Sequence, residues 1–269
     1  RACAGLSRFP GDPTLNILVL MKAVPAISGI EDDPAPATAE KILNPADNTA
    51  LEEALRLKDR LSASVTVMTM GVAACEALLR QQLARGCDRA VLITDAAFAG
   101  ADTLSTARTL ARAAAHTGPY DLILCGRRST DGETGQIGPE LAAMLALPCA
   151  ANCTRLQTEP DGVRVRCLCD GGEETLLLPL PAVLTVQNGV NSPRLASLSG
   201  LFRAKRAEIT VLRRADLGLP AELCGQKGSG TIVKRSMRRV FEKRQAVRFD
   251  DTQLSGAAAQ LTEWMEALS

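Results

Sequence analysis

The chain alternates short aliphatic runs with longer stretches of helical spacing. Residues 15–21 (LNILVLM) form an unbroken apolar run of strand length. Further buried strands are expected at 64–70, 90–94, 121–125 and 181–187. Between them the spacing predicts helices. One begins at Asn44-Pro45, with Asn44 suited to the N-cap and Pro45 to the first helical position, and continues through Leu51, Ala54, Leu55 and Lys58. Others cover 73–85, 102–116 with Thr103 as the cap, and 136–147 with Ile137, Leu141, Met144 and Leu145 on one face. Residues 22–41 carry Pro25, Gly29, Pro34 and Pro36 and read as a long loop of the kind that serves function. Repeated strand–helix alternation with long crossovers predicts an α/β fold, a mainly parallel, Rossmann-like sheet with helices on both faces and right-handed connections.

The pattern changes after Pro148. Pieces 149–157, 163–169 and 175–178 are strand-like with short turns between them, and Asp161-Gly162 is a hairpin signal. A small antiparallel excursion is expected there. Beyond Ala221 the core signal fades. Residues 227–248 hold eight Lys/Arg and one acid, Glu242, and 257–268 can form an amphipathic helix with Leu261, Trp264, Met265 and Leu268. The expected organisation is a disordered leader at 1–13, a nucleotide-binding domain at 14–220 and a C-terminal arm at 221–269.

Composition narrows the function classes. Of 269 residues, 46% are hydrophobic but only 3% aromatic, so aliphatic side chains must fill the core and base-stacking platforms are disfavoured. A net charge of +1 gives no global field for nucleic acid or membrane. No apolar run is long enough to span a bilayer. Nine cysteines without a secretory leader read as free, buried thiols in a reducing, cytoplasmic setting. Metal binding is disfavoured because the only histidine is His116, at the end of an expected helix, and no repeated CxxC spacing occurs. GxSxG is absent, and the basic tail lacks the aromatic interleaving of a nucleic-acid motif.

Two loops carry candidate chemistry. The first runs CGRRSTDGETGQIGP from Cys125 to Pro139, between an expected strand end and an expected helix start. Ligands of parallel sheets bind beyond the carboxyl ends of strands, and a helix N-terminus offers free N–H groups to a phosphate. Gly126, Gly132, Gly135 and Gly138 let backbone approach a ligand, and Thr134 and Gln136 add donors. The sequence is neither GxGxxG nor a Walker A loop, and an ordinary glycine-rich connection is the competing reading. The second loop, 188–198 (NGVNSPRLASL), follows the returning strand and reads either as a second site or as a polar linker.

Four segments in order, NPADNTALEEA from Asn44, AGADTL from Ala99, CG…DGETGQIGPE from Cys125 and NSPRLASL from Asn191, give the chain a specific likeness. From about Leu15 to its end it resembles the β subunits of electron transfer flavoproteins. The resemblance implies an αβ heterodimer that carries electrons at an FAD held mainly by the α subunit. It also implies an adenine nucleotide in the β subunit itself, AMP in simple carriers and a second FAD in electron-bifurcating members that use NADH. Nucleotide contacts carried over by motif are Ala23, Asn44, Gly126, Asp131, Thr134, Gln136, Ile137 and Gly138. Residues 191–200 resemble the loop that docks acyl-CoA-type and other flavin dehydrogenases, here with Asn191, Pro193, Arg194 and an apolar tip at Leu198. The basic C-terminal segment resembles an arm that wraps the α subunit. Many bifurcating members read Val-Pro-Asp-Thr after the first strand, whereas here Val24-Pro25 is followed by Ala26-Ile27, so AMP and FAD both stay open. Two rival classes are a stand-alone adenine-nucleotide sensor of the universal-stress type and a hydrolase of adenylated substrates using Asp131.

Overall fold

A computed structural model describes residues 15–26, 41–232, 234, 249–250 and 252–266. It divides into two compact units, one ending at Lys234 and one that holds the last helix. In chain order the elements are β1 (Leu15–Met21), β2 (Ala23–Pro25), β3 (Lys41–Leu43), α1 (Pro45–Arg60), β4 (Ala63–Met70), α2 (Glu76–Arg85), β5 (Arg89–Ile93), α3 (Thr103–Thr117), β6 (Leu122–Gly126), α4 (Ile137–Leu145), β7 (Cys149–Glu159), β8 (Gly162–Cys169), β9 (Gly172–Leu178), β10 (Ala182–Val186), α5 (Leu198–Arg206), β11 (Thr210–Leu212) and, in the second unit, α6 (Leu254–Glu266).

Nine strands form one sheet in the order β11-β5-β4-β1-β6-β10-β7-β8-β9. Pairing is parallel from β11 through β7, and β8 and β9 add an antiparallel extension. The central strands are apolar on both sides because both faces are covered. Ile17, Val19, Val65, Val67, Leu122 and Leu124 point into one core with Leu51 and Leu55 of α1 and Leu79 of α2. Leu18, Leu20, Met68 and Ile123 point into the other, with Leu110 of α3 and Leu141 of α4.

The α/β architecture and the antiparallel excursion match the sequence pattern, with local differences. The expected loop at 22–41 contains a short ribbon, Ala23–Pro25 paired antiparallel with Lys41–Leu43. Three-residue strands are too brief to show a period. The cap of α3 is Asp102, whose carboxylate accepts from Ser105 N–H, and not Thr103. Asp102 is preferred because its extended backbone aims the side chain back along the helix. Residues just past 220 belong with the sheet: Cys224 is buried, and Gly225 lies so close to the carbonyls of Ala97 and Ala99 that a Cβ would fall within 2.6 Å of both. Asp102 also accepts from the N–H and hydroxyl of Thr231, fastening this stretch to the head of α3. The leader at 1–13 and most of the basic stretch 227–248 lie outside the described residues.

Candidate functional site

The chain leaves β1 for β4 and β5 on one side of the sheet and later places β6 on the other side of β1. Their carboxyl ends therefore flank a switch point, where open α/β sheets make a crevice. One carboxylate ties the crevice floor together. Asp47, in the first turn of α1, accepts from Lys22 N–H at the end of β1 (2.8 Å) and from Gly126 N–H at the end of β6 (2.9 Å). The approach leaves no room at position 126, where a Cβ would sit 2.5 Å from Asp47 Oδ1 and 2.6 Å from Ala46 C and Asp47 N. Burial pushes the Asp47 carboxyl up to about 6, against the opposing pull of its two backbone donors.

Asn44 stands at the cap position of α1 but does not cap it. Its buried side chain reaches across the crevice, donating to Arg128 C=O at 3.0 Å and accepting from Thr130 N–H at 3.3 Å. Asp131 accepts from Gly132 N–H and pairs with Lys22 Nζ at 2.7 Å. Burial works to raise its carboxyl, but Lys22 and its other donors win and hold it below the usual range. A base already engaged by a lysine is poorly suited to hydrolysis, and His116 sits in the last turn of α3.

Beyond Asp131 the loop turns through left-handed backbone at Glu133 (φ 52°) and Gly135 (φ 67°). Gln136 then begins α4 without a side-chain cap. Its Oε1 instead accepts from Thr103 Oγ1 at 3.1 Å, and Thr134 Oγ1 lies 3.5 Å from Gln136 N. Ile137 is partly buried against the second core. Gly138 seats α4 on β10, since a Cβ there would meet Thr185 Cγ2 at 2.3 Å. Ala23, in the ribbon that leaves β1, is partly buried.

These features fit the phosphate end of an adenine nucleotide. The first turn of α4 has no side-chain cap from Gln136, and Lys22 supplies a cation at the end of β1. The structure links Asn44 to the backbone of Arg128 and Thr130, Gly126 to Lys22 through Asp47, and Lys22 to Asp131, and Thr134 to Gly138 follow along the same loop into α4. Sequence reasoning missed Lys22 and the tie through Asp47. An acid in the first turn of the helix that starts at Asn44-Pro45 was the available signal.

The second loop is arranged differently. Asn191 Nδ2 donates to Thr49 C=O and to Glu53 Oε1, and Arg194 pairs with Glu52 and Asp59, all on α1. Pro193 is partly buried beside them. Ser197 caps α5 by accepting from Gly200 N–H at 3.0 Å. Leu198 is the first residue of that helix rather than the tip of a polar loop, and it is 77% exposed. Leu195, Leu201 and Phe202 are exposed beside it, an apolar ridge that only the helical spacing of 198, 201 and 202 could have announced.

Residues 35–217 match the electron transfer flavoprotein domain family. The chain belongs to that family. It is 39% identical to the electron transfer flavoprotein subunit beta of Thermoanaerobacterium thermosaccharolyticum over 225 residues, 81% of this chain and 86% of the relative. It is 38% identical to the caffeyl-CoA reductase-Etf complex subunit CarD of Acetobacterium woodii, over 82% of this chain and 87% of the relative. Against protein FixA of Azotobacter vinelandii the identity is 38%, over 82% and 83%. Electron transfer flavoproteins work as flavin-containing assemblies, and this chain is an electron-transfer subunit of the β type. No helix among the described residues is long and apolar enough to cross a membrane.

Proposed function

We propose that this chain is the β half of a heterodimeric electron carrier and holds an adenine nucleotide by its phosphates between β1 and β6. One observation carries the reading. Asp47 joins the ends of both strands, and the loop beyond β6 leads into a helix whose first amides face no side-chain cap. Asn44, Gly126 and the ribbon at Ala23 form the floor. Thr134, Gln136, Ile137 and Gly138 present the donors, and Asp131 stays turned toward Lys22 and backbone. The FAD of the assembled complex supplies the electron-accepting ring, and these residues hold the nucleotide end.

The bound nucleotide is AMP if the heterodimer is a simple carrier. It is a second FAD if the heterodimer bifurcates electrons from NADH, which the retained Val24-Pro25 and the likeness to a caffeyl-CoA reductase-Etf subunit favour slightly. The apolar ridge at Leu198 is the docking point for an acyl-CoA-type flavin dehydrogenase. The exposed Leu254, Leu261 and Met265 of α6 suit a helix that packs on the α subunit.

The test is to purify the heterodimer, denature it and quantify released FAD and AMP. Two FAD and no AMP per heterodimer mark the bifurcating form, and one of each marks the carrier. One FAD without AMP would refute a nucleotide site in this chain.

A further inference from the structure

The segment between β10 and α5 has no regular secondary structure, so side chains must fix its path. Almost every long-range hydrogen bond it makes through a side chain goes to one helix. Asn188 Oδ1 accepts from Thr49 Oγ1 at 3.3 Å. Asn191 Nδ2 donates to Thr49 C=O at 3.0 Å and to Glu53 Oε1 at 2.8 Å. Arg194 donates its backbone N–H to Glu52 Oε2 at 3.0 Å and its guanidinium to both Glu52 oxygens at 3.1 and 3.2 Å. The same guanidinium reaches Asp59 at 2.7 Å. Thr49, Glu52, Glu53 and Asp59 follow helical spacing along one face of α1.

That face is unusual. Glu52 is 4% exposed and Glu53 9%, positions that a packed helix normally gives to apolar residues. Buried carboxylates persist only where cations and donors satisfy them. Two further cations serve the pair: Arg56 donates Nε to Glu52 Oε1 at 3.2 Å and lies 3.5 Å from Glu53, and Arg85 has Nη2 4.0 Å from Glu52 and is anchored to Asn48 through Nη1. Burial alone would raise the Glu52 carboxyl, yet its bonds to Arg194 hold it below the usual range, so it stays ionised for the fork. The same helix carries Asp47 at the nucleotide crevice one turn earlier.

We infer that Glu52, supported by Glu53, is a positioning residue that holds the 188–198 segment, and with it the Leu198 ridge, in the shape that receives the dehydrogenase. The inference rests on the docking reading of Leu198. Glu52, 4% exposed, is too buried to meet a partner itself and acts through Arg194.

The test uses the assembled heterodimer carrying Glu52→Gln, which keeps shape but removes the charge. Two quantities are read: hydrogen exchange of amides 188–198, and steady-state kinetics with an acyl-CoA dehydrogenase that reduces the parent heterodimer. Exchange in the segment should quicken about tenfold. KM for the dehydrogenase should rise about tenfold, with the saturating rate and flavin per heterodimer unchanged. Arg194→Lys keeps a cation against Glu52 but loses the fork, so it should give a smaller change in the same two quantities. It also serves if Glu52→Gln does not assemble. Exchange and KM both within about twofold of the parent would overturn the inference, as would faster exchange with unchanged KM. Leu198→Ala is run alongside. If it leaves KM at the parent value, the docking reading falls, and the exchange data alone decide whether Glu52 holds the segment.

Discussion

Replacing Gly138 by alanine isolates what the glycine in the first turn of α4 does. The added methyl would stand 2.3 Å from Thr185 Cγ2 and 3.2 Å from Cys125 Sγ. Carbon atoms rest at about 3.5–4.0 Å, so something must move by on the order of 1 Å. Thr185 is 1% exposed in the middle of β10 and β-branched, and its rotation is restricted. Its Oγ1 also accepts from Asn152 N–H at 2.9 Å. Rotating the methyl away breaks that bond and leaves a partly buried N–H without its partner, at roughly 1–3 kcal/mol. The alternative is to lift α4 off the sheet, an overpacking cost of about the same size. Gly138→Ala should therefore lose about 2–3 kcal/mol, roughly 5–10 °C in the melting temperature of a chain this long. Thermal circular dichroism of the heterodimer reads the shift. A double-mutant cycle with Thr185→Ser removes the obstructing methyl and keeps the hydroxyl. Although Thr185→Ser costs about 1 kcal/mol alone, it should recover at least ~1 kcal/mol of the Gly138→Ala loss. A melting temperature within about 1 °C of the parent, or no recovery in the double variant, would refute the packing role.

Three further outcomes follow from the same geometry. Gly126→Ala places a Cβ within 2.6 Å of backbone in α1 and should release bound nucleotide as well as lower the melting temperature; full nucleotide content by chromatography of the denatured heterodimer would count against the crevice floor. The Asp47 carboxyl stands at about 6 in the fold against an ordinary 3.8, so the fold binds this proton more tightly than the unfolded chain does. Its contribution to stability is full below the ordinary value and is lost as pH rises through that window. Asp47→Asn cannot titrate, so the difference in melting temperature between variant and parent should change from about pH 4 to 6 and then level off. A flat difference curve would contradict the buried assignment. Leu198→Ala should raise KM for the dehydrogenase while the melting temperature hardly moves, because the side chain is 77% exposed, and a large fall in melting temperature would place it in a core instead.

The central strands could be read directly, because aliphatic runs such as 15–21 and 121–125 follow from burial on both faces. The antiparallel extension was legible from Asp161-Gly162 and from strand runs too closely spaced for crossovers. Elements whose apolar side does not face the core were harder to see. α5 was missed because Leu198, Leu201 and Phe202 point outward and the segment leading into it is polar. β11 was missed because three residues hold no period. In the candidate site, glycine spacing drew attention to the loop but not to what keeps its glycines small. Gly126 and Gly138 are small because α1 and β10 press on them, and those contacts join residues far apart in sequence. The same holds for Asp47, whose bond to Gly126 spans 79 positions.

The antiparallel extension bears on how the isolated chain behaves in solution. The sheet ends at β9, which pairs with β8 on one side, and its other side carries unpaired peptide groups among the described residues. Such a border is a template for a further strand from any chain that meets it. Glu173 and Glu174 guard one end by repulsion, while Leu176 and Leu177, 39% and 45% exposed, leave the other end adhesive. High salt or acid weakens the guard and leaves the leucines as they are. Concentrated stocks of the lone chain should cloud first under those conditions, by edge-to-edge growth of an intact fold without any unfolding.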